Sequence, residues 1–356
     1  MPVGLVTNQS TYAANMDLSA TVQAYFDKGK AFDQVFNAIP LLQYFTGKNH
    51  LNAQKNLTQK EMVAKKMLEL RPGGKDIDFS ARIGRNSTVK SMQQYDLVDV
   101  TPQQGYTTLS IPWKMYGGSI SIAKHQELMN ADRSLRVLDI GREKTEQSVE
   151  EMKHIVYLHL WLGNNASLTT ATDVHGVPYY VSTDPTTGTA ATAARATATW
   201  FRNQFNGTSQ TITDATPSFA ANGLKYMFQM CLDCSAGYGI DEVDGIFTDK
   251  TVMTNAYLKL QPQQRYTNND KPDPSFGGIM HFMGVPIVYD SGCPATRMYF
   301  LNANTWKFIA HREANLVVGD FVESNDQFAR VAKVLWFFNL LCTEPRRNGV
   351  IDGWAA

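Results

Sequence analysis

The sequence predicts an α+β chain with an N-terminal arm, an extended β-hairpin loop, one long spine helix and a second half of alternating short strands and helices. Three observations carry this. Ile77, Phe79, Ala81 and Ile83 alternate with polar residues, as do Leu109, Ile111, Trp113 and Met115, which is the period of strands with one apolar face. Asp139 to Leu162 is rich in Glu, Lys, Arg and Gln, with Val149, Met152, Val156 and Leu160 along one side. Further on, helical stripes and short apolar runs succeed one another.

The arm comes first. Leu18, Val22, Tyr25, Phe26, Phe32, Val35 and Phe36 fall on a helical stripe interrupted by Gly29. A second helix is expected to start at Thr58, with Glu61 at the capping-box spacing, and to stop at Arg71-Pro-Gly-Gly. The first 75 residues hold nine Lys/Arg against five Asp/Glu, a mildly basic arm. The two alternating runs then read as long strands paired across a large, mostly polar loop from Arg85 to Gly105. A two-stranded ribbon is barely stable alone in water, so it needs a surface to lie on. After Gly117-Gly118 the apolar phase shifts to Ile120 and Ile122, and the glycines are expected to mark a bend or bulge.

The long helix ends at Gly163 and would span about 36 Å at ~1.5 Å per residue. Glu143, Lys144, Gln147, Glu150 and Glu151 occupy much of its polar side, as on a spine lying across a sheet. The Thr- and Ala-rich segment from Ser167 to Thr199 reads as loops and short strands, with Pro185-Thr-Thr-Gly as a turn. Leu224, Met227, Phe228, Cys231 and Leu232 form a helical stripe that ends at Gly237. Gly245-Ile-Phe-Thr is a short strand. Asp249 or Thr248 then caps a helix carrying Val252, Met253, Ala256, Tyr257 and Leu260, closed by Pro262. Strands are expected around Val285 to Tyr289, Arg297 to Leu301 and Val331 to Cys342.

A chain of 356 residues can bury a sizeable core without disulfide or metal staples. With 33 basic and 33 acidic residues the net charge is zero, so no global field draws the chain to nucleic acid or anionic lipid. That argues against a dedicated DNA-binding protein, but not against a shell that encloses DNA without gripping it. Four dispersed cysteines are no disulfide framework, and reduced thiols with a cytoplasmic origin are expected. The first ten residues, MPVGLVTNQS, do not read as a secretory signal. The longest apolar stretch, Val334 to Cys342, is interrupted by Asn339 and falls short of the ~18–20 residues of a membrane span.

Signatures of catalysis are missing. The sequence holds no GxxxxGK[ST] phosphate loop, no GxSxG elbow and no HExxH. Gly237-Tyr-Gly239 lacks the third glycine of a dinucleotide loop and reads as a helix-ending turn. Cys231 and Cys234 form a CxxC inside a helix, where packing is the expected role; a zinc site needs two further ligands. Cys293 and Cys342 are isolated. Asp241, Glu242 and Asp244 fit no calcium loop and read as a solvated turn. His154 and His159 stand five apart and do not share a helix face as i, i+4 ligands do. No catalytic, cofactor-binding or metal residue is assigned.

From Trp200 onward, the order of motifs resembles that of the major capsid proteins of tailed bacteriophages, with the Hong Kong ninety-seven fold. The pieces are Trp200-Phe-Arg-Asn, the segment IFTDKTVMTNAYLKL, Gln263-Gln-Arg-Tyr and, most tellingly, GIMHFMGVPIVYDSGCPATRMYFLN from Gly278 to Asn302. The tail from Gln327 to Gly353, including Arg346-Arg-Asn-Gly-Val, is similar to the family's closing strands. The upstream arm, ribbon and spine helix agree in order only. The resemblance implies an arm (1–74), an extended loop (75–116), a peripheral domain (117–164 and 311–356) and an axial domain (165–310). It implies self-assembly into pentamers and hexamers of an icosahedral head that encloses double-stranded DNA without reading its sequence. A separate scaffolding protein and a portal are the further partners; the chain shows no long charged scaffolding region of its own. Assembly is expected in the host bacterial cytoplasm, with the product in the virion and no membrane involved.

Subunit-interface candidates on this reading are Arg82, Arg85, Lys90, Tyr95, Trp113, Glu143, Glu151, Arg346 and Arg347. One branch of the family links subunits through a lysine of the extended loop and an asparagine of a neighbour. Lys75, Lys90 and Asn348 are of suitable type, but no motif aligns them, so that chemistry is not carried over. Two alternatives stand beside the capsid. An encapsulin-like bacterial nanocompartment shell shares the fold and would enclose enzymes. A soluble enzyme with an unrecognised site, glycan-active given the aromatics, would be a monomer or small oligomer with a pocket of paired carboxylates.

Overall fold

The computed structural model describes residues 40–46, 68–129, 140–162, 172–205, 219–235, 242–260, 280–324 and 327–354. The expected helix over Leu18 to Phe36, the Thr58–Glu61 capping box, the stops at Gly163, Gly237 and Pro262, Asp241, and Gln263-Gln-Arg-Tyr lie outside these residues. Helix α1 spans Pro40–Thr46 and strand β1 Leu68–Arg71. The ribbon is β2 (Asp76–Arg82) and β3 (Tyr106–Pro112), followed by β4 (Lys114–Ala123), α2 (Lys124–Met129) and the long α3 (Ile140–Leu162). A short α4 (Val177–Tyr180), β5 (Thr189–Ala190), β6 (Ala193–Ala194) and β7 (Gln204–Phe205) come next. The second half holds α5 (Phe219–Cys234), β8 (Gly245–Thr248), α6 (Lys250–Leu260), β9 (Met280–Phe282), β10 (Val285–Tyr289) and β11 (Met298–Leu301). It closes with β12 (Trp306–His311), β13 (Val317–Val318), β14 (Val322–Glu323), β15 (Ala329–Cys342) and β16 (Gly349–Ile351).

The described residues fall into two compact units. The smaller comprises Gly117–Met152 and Val318–Val334, and the larger Ala38–Tyr116, Lys153–Val317 and Leu335–Ala356. In the smaller unit β14 pairs antiparallel with the start of β15, Val322 opposite Val331 and Glu323 opposite Arg330. Ile120 and Met152 are buried there, and the Lys144 ammonium donates to the Ser121 carbonyl at 3.0 Å. Gly117 and Gly118 lie inside an unbroken β4, so the expected bend is absent at that point. The change of phase comes earlier, at Trp113, which belongs to neither strand: Ile111 is buried before it and Lys114 after it.

The larger unit contains a six-stranded mixed sheet ordered β7-β16-β11-β8-β10-β9. β8 and β11 are buried at every residue, as their unbroken apolar runs require of strands covered on both faces. α5 packs here through Tyr226, Met227, Met230, Cys231 and Cys234, against Ile246, Phe300 and Trp354. The expected stripe was thus rotated. Phe228 and Leu232 stay 46% and 40% exposed, while Met230 and Cys234 turn inward, because α5 is apolar over more than one face and the sheet selects among them. Asp249 is the cap of α6, its Oδ1 accepting the Val252 N–H at 3.1 Å.

Among the strands that the sequence does not announce, β1 and β12 shape this unit most. β12 pairs antiparallel with the end of β15, Trp306 opposite Cys342, and β1 pairs parallel with β12, Leu68 opposite Phe308. Residues 68–71 are therefore a strand and not the last turn of the helix expected to run to Arg71. The long-range partner decides this: Glu69 lies 2.9 Å from Arg71 Nε and 3.5 Å from Lys307 Nζ on the neighbouring strand. Burial raises the Glu69 pKa, but the hydrogen bond and charge of Arg71, with Lys307, outweigh it and hold the carboxyl below its usual range.

Candidate assembly surfaces

The ribbon pairs in one register from Asp76 opposite Pro112 to Arg82 opposite Tyr106. Its inner face, Ile77, Leu109 and Ile111, is buried at 0–5% exposure in its own unit, with Phe79 facing Phe201 at 6.4 Å. The ladder ends at Gly105, and the loop beyond has no regular structure. Its order is local. Thr88 N–H donates to Asn86 Oδ1 at 3.0 Å, Gln93 N–H to Asp96 Oδ2 at 2.8 Å and Thr101 N–H to Asp99 Oδ1 at 3.0 Å. The Thr101 hydroxyl, which also donates to Asp99, and the Thr101 N–H hold that carboxyl below its ordinary pKa.

Arg82, Arg85, Lys90 and Tyr95 all lie on this end of the ribbon, exposed. Beside them is a feature that the description "mostly polar" missed. Val89, Tyr95, Leu97, Val98 and Val100 are 69–91% exposed, an apolar series with no core beneath it among the described residues. The run Tyr95-Asp-Leu-Val-Asp-Val was the available signal. Large apolar groups held in water carry a free-energy cost that only another surface relieves.

The other candidates fall elsewhere. Trp113 sits at the ribbon's base, stacked on Phe337 (centroids 5.1 Å, 12°) and edge-on to His311 at 6.1 Å. Glu143 and Glu151 are on α3, half-buried and exposed respectively. Arg346 and Arg347 share Glu344, their Nε atoms 3.8 and 3.3 Å from its Oε2, exposed pairs of small energetic weight. Asn348 is fully buried and saturated. Its Oδ1 accepts from Trp306 Nε1 at 2.8 Å and Asn302 N–H at 2.9 Å; its Nδ2 donates to Thr305 Oγ1 at 2.9 Å and the Glu344 carbonyl at 3.2 Å. It pins the 345–347 turn to β12 and offers no atom to a lysine of another chain. A second exposed apolar group, Phe328 at 93%, stands in the smaller unit beside an open notch of about 390 Å³ lined by Lys124, Glu323 and Arg330.

The residues weighed for catalysis have structural partners. Cys231, Cys234, Cys293 and Cys342 are buried free thiols, and burial pushes the Cys231 pKa up to about 12 and raises those of the other three from their ordinary value. Asp244 ties a turn, its Oδ2 accepting the Ala303 N–H at 3.1 Å. His159 Nδ1 lies 2.8 Å from the Tyr116 hydroxyl and 3.7 Å from Asp173, and the His154 ring lies 6.1 Å from that of Tyr157. The buried Asp290 has its pKa raised by burial. It accepts hydrogen bonds from the Tyr157 hydroxyl and from the Gly292 and Leu41 N–H groups, so it fastens the start of α1. Among the described residues no group of three or more His, Cys, Asp or Glu is placed to hold a metal ion, and no helix is long and apolar enough to cross a membrane.

No protein-family model matches the chain, and no curated protein matches its sequence. Solved structures do. The cyanophage A-1(L) capsid subunit is 14% identical with a TM-score of 0.61, covering 85% of this chain and 95% of its own. A subunit of the capsid of a native GTA particle is 10% identical with a TM-score of 0.56, covering 92% and 94%. The SrpI encapsulin of Synechococcus elongatus PCC 7942 is 12% identical with a TM-score of 0.50, covering 94% and 95%. At such identities the likeness is one of fold. The chain has the mixed helix-and-sheet Hong Kong ninety-seven fold of phage capsid subunits.

Proposed function

We propose that this chain is a major capsid protein that assembles with copies of itself, as pentamers and hexamers, into the icosahedral head of a tailed phage. The observation that carries the reading is the projecting loop. Five large apolar side chains are held in water at the end of a ribbon whose base is firmly packed, on a fold otherwise found in shell subunits. On this reading the domains are the arm (1–74), the extended loop (75–116), the peripheral domain (117–164 and 311–356) and the axial domain (165–310). Arg82, Arg85, Lys90 and Tyr95 lie on neighbouring copies together with the apolar series, and Trp113, Glu143, Glu151, Arg346 and Arg347 supply further subunit contacts. Burial across such contacts contributes about 25 cal/mol per Å² of apolar surface, repeated at every copy.

The shell encloses double-stranded DNA without sequence-specific contacts, in keeping with zero net charge. A separate scaffolding protein and a portal complete the particle, assembled in the host bacterial cytoplasm and found in the virion. The role is structural and not enzymatic. The test replaces Ser87 to Gln104 by a short Gly-Ser turn, which costs little in loop entropy. Circular dichroism should show an intact fold, and negative-stain electron microscopy should show particles from the parent chain only. A parent chain that stays monomeric with or without its scaffolding partner would overturn the proposal. The encapsulin likeness supports a second reading, a nanocompartment shell. Particles that package a protein cargo encoded beside the gene, and no genome, would select it.

A further inference from the structure

Asn348 and Gly349 are neighbours whose identities the packing fixes from two different sides. The buried Asn348 amide has every polar group engaged: Oδ1 accepts from Trp306 and Asn302, while Nδ2 donates to Thr305 and Glu344 and lies 3.5 Å from Cys342 Sγ. Its backbone carbonyl also accepts the Gln204 N–H at 2.9 Å, at the start of β7. Gly349 opens β16 and is held to glycine by α5. A Cβ there would overlap Met230 Sδ and lie 2.9 Å from Cys234 Sγ, and both of those side chains are at most 1% exposed in a packed core. Neither residue can be exchanged for a bulkier one without disturbing that core.

The fold has thereby built an Asn–Gly pair, the arrangement in which an asparagine amide is most open to its own backbone. With no side chain on Gly349 to shield it, the Gly349 nitrogen can attack Asn348 Cγ. A Cγ–N bond forms and the Cγ–Nδ2 bond breaks. Nδ2 leaves as ammonia, taking the proton that the Gly349 nitrogen gives up. Water then opens the cyclic imide at either carbonyl, leaving aspartate or its isopeptide form. The folded chain withholds this step. Asn348 is extended, with φ −123° and ψ 148°, and the ring closes only if backbone and side chain both rotate. That rotation would break the hydrogen bonds to Trp306, Asn302, Thr305 and Glu344 together.

The product does not fit where the amide did. A carboxylate oxygen in place of Nδ2 would face the Glu344 carbonyl, which only accepts. It would also face the Thr305 hydroxyl, whose one proton already goes to the Asn302 carbonyl at 2.8 Å. A charge would be buried against lone pairs. The isopeptide form adds a backbone carbon to β16, an inner strand on which Gly349 pairs with Gln204 on one side and Phe300 on the other. We infer that Asn348–Gly349 is a modification site that reacts in the unfolded chain and not in the folded one, and that its deamidation blocks return to the native fold. A copy left unfolded is thus withdrawn chemically, one route by which unfolding becomes irreversible. The inference stands on contacts within one chain and does not depend on the shell reading.

The test uses the full chain, in which Asn206–Gly207 and Asn222–Gly223 are further pairs of the same kind. The protein is kept in mildly alkaline heavy-oxygen water, either folded or in urea, so that acid formed during the incubation carries the label. Trypsin cleavage after Arg347 then releases a peptide beginning at Asn348, and mass spectrometry reads it. In urea all three pairs should label at similar rates. In the folded chain Asn348 should label at least about tenfold more slowly than in urea, because only the small open fraction reacts. Equal rates at Asn348 in the two states would overturn the protection. Urea is next removed and the refolded fraction separated from the rest. The Asn348 product should be severalfold depleted in the refolded fraction, and an even division would overturn the block. Asn348→Asp, made directly, tests the block even where refolding is poor. It should melt well below the parent or yield no soluble chain, and parent-like melting would overturn the block as well.

Discussion

The two ends of the ribbon carry the same kinds of residue to opposite fates. At its base Ile77, Leu109 and Ile111 are at most 5% exposed, whereas at its tip Leu97, Val98 and Val100 are at least 69% exposed. The base has a sheet register, a covering segment with Phe201, and side chains that take up stray backbone groups. The tip has short turns closed by Asn86, Asp96 and Asp99 and a single side-chain bridge, from the Ser87 hydroxyl to Gln103, among the hydrogen bonds of the described residues. The difference teaches that hydrophobicity alone does not assign a residue to the core. A buried apolar group stabilises the fold of its own chain, and an exposed one on an extended loop is free to stabilise an assembly.

Four experiments can break or sharpen this comparison. The largest effect is expected from charging the tip. Leu97→Asp, Val98→Asp and Val100→Asp together should abolish particles in electron microscopy while leaving the melting temperature of the subunit unchanged. A lowered melting temperature would place the tip in the fold after all. At the base, Ile111→Ala should cost about 4 kcal/mol of stability in denaturant unfolding, from lost transfer energy and the cavity left behind. A cost below 1 kcal/mol would mean that the base is not packed as described.

A third effect comes from pH. Burial, then the nearby charge of Lys114, pushes the His175 pKa down from its ordinary 6.5 to about 4. The folded state therefore prefers the neutral ring. The stability this gives is fully present above pH 6.5. It is lost progressively as the pH falls toward 4, where the folded state also takes up the proton. The total is on the order of 3 kcal/mol. Unfolding free energies measured across this window should fall in the parent and fall less steeply in His175→Phe; equal slopes would remove His175 from the account. The smallest effect is expected from Val98→Ser, at less than ~0.5 kcal/mol in stability, because no cavity forms where no packing exists.

Much of this was readable beforehand where a local pattern and its environment agreed. The strands Asp76–Arg82 and Tyr106–Pro112 follow their alternation, α3 follows its charge-rich stripe, and β8 follows the run Gly245-Ile-Phe-Thr. The candidate surface was only half legible. Arg82, Arg85, Lys90 and Tyr95 lie exposed at one end of the ribbon, but the exposure of Leu97, Val98 and Val100 was not readable, since sequence does not report which apolar residues lack a core.

The amino-acid sequence by itself determined the α+β class, the long ribbon, the long helix and the absence of any familiar catalytic motif, because periodicity and short-range turn chemistry are properties of neighbours along the chain. Only the tertiary structure decided that Leu68–Arg71 is a strand, that α5 buries Met230 and Cys234 in place of Phe228 and Leu232, and that Asn339 and Thr192 hydrogen-bond the backbone at the ribbon's base. Each of these depends on a partner far away in sequence: β12 for the strand, the β8–β11 sheet for the helix face, and the Ser110 and Pro112 backbone for Thr192 and Asn339. A residue with two acceptable local states takes the one that its distant partner completes.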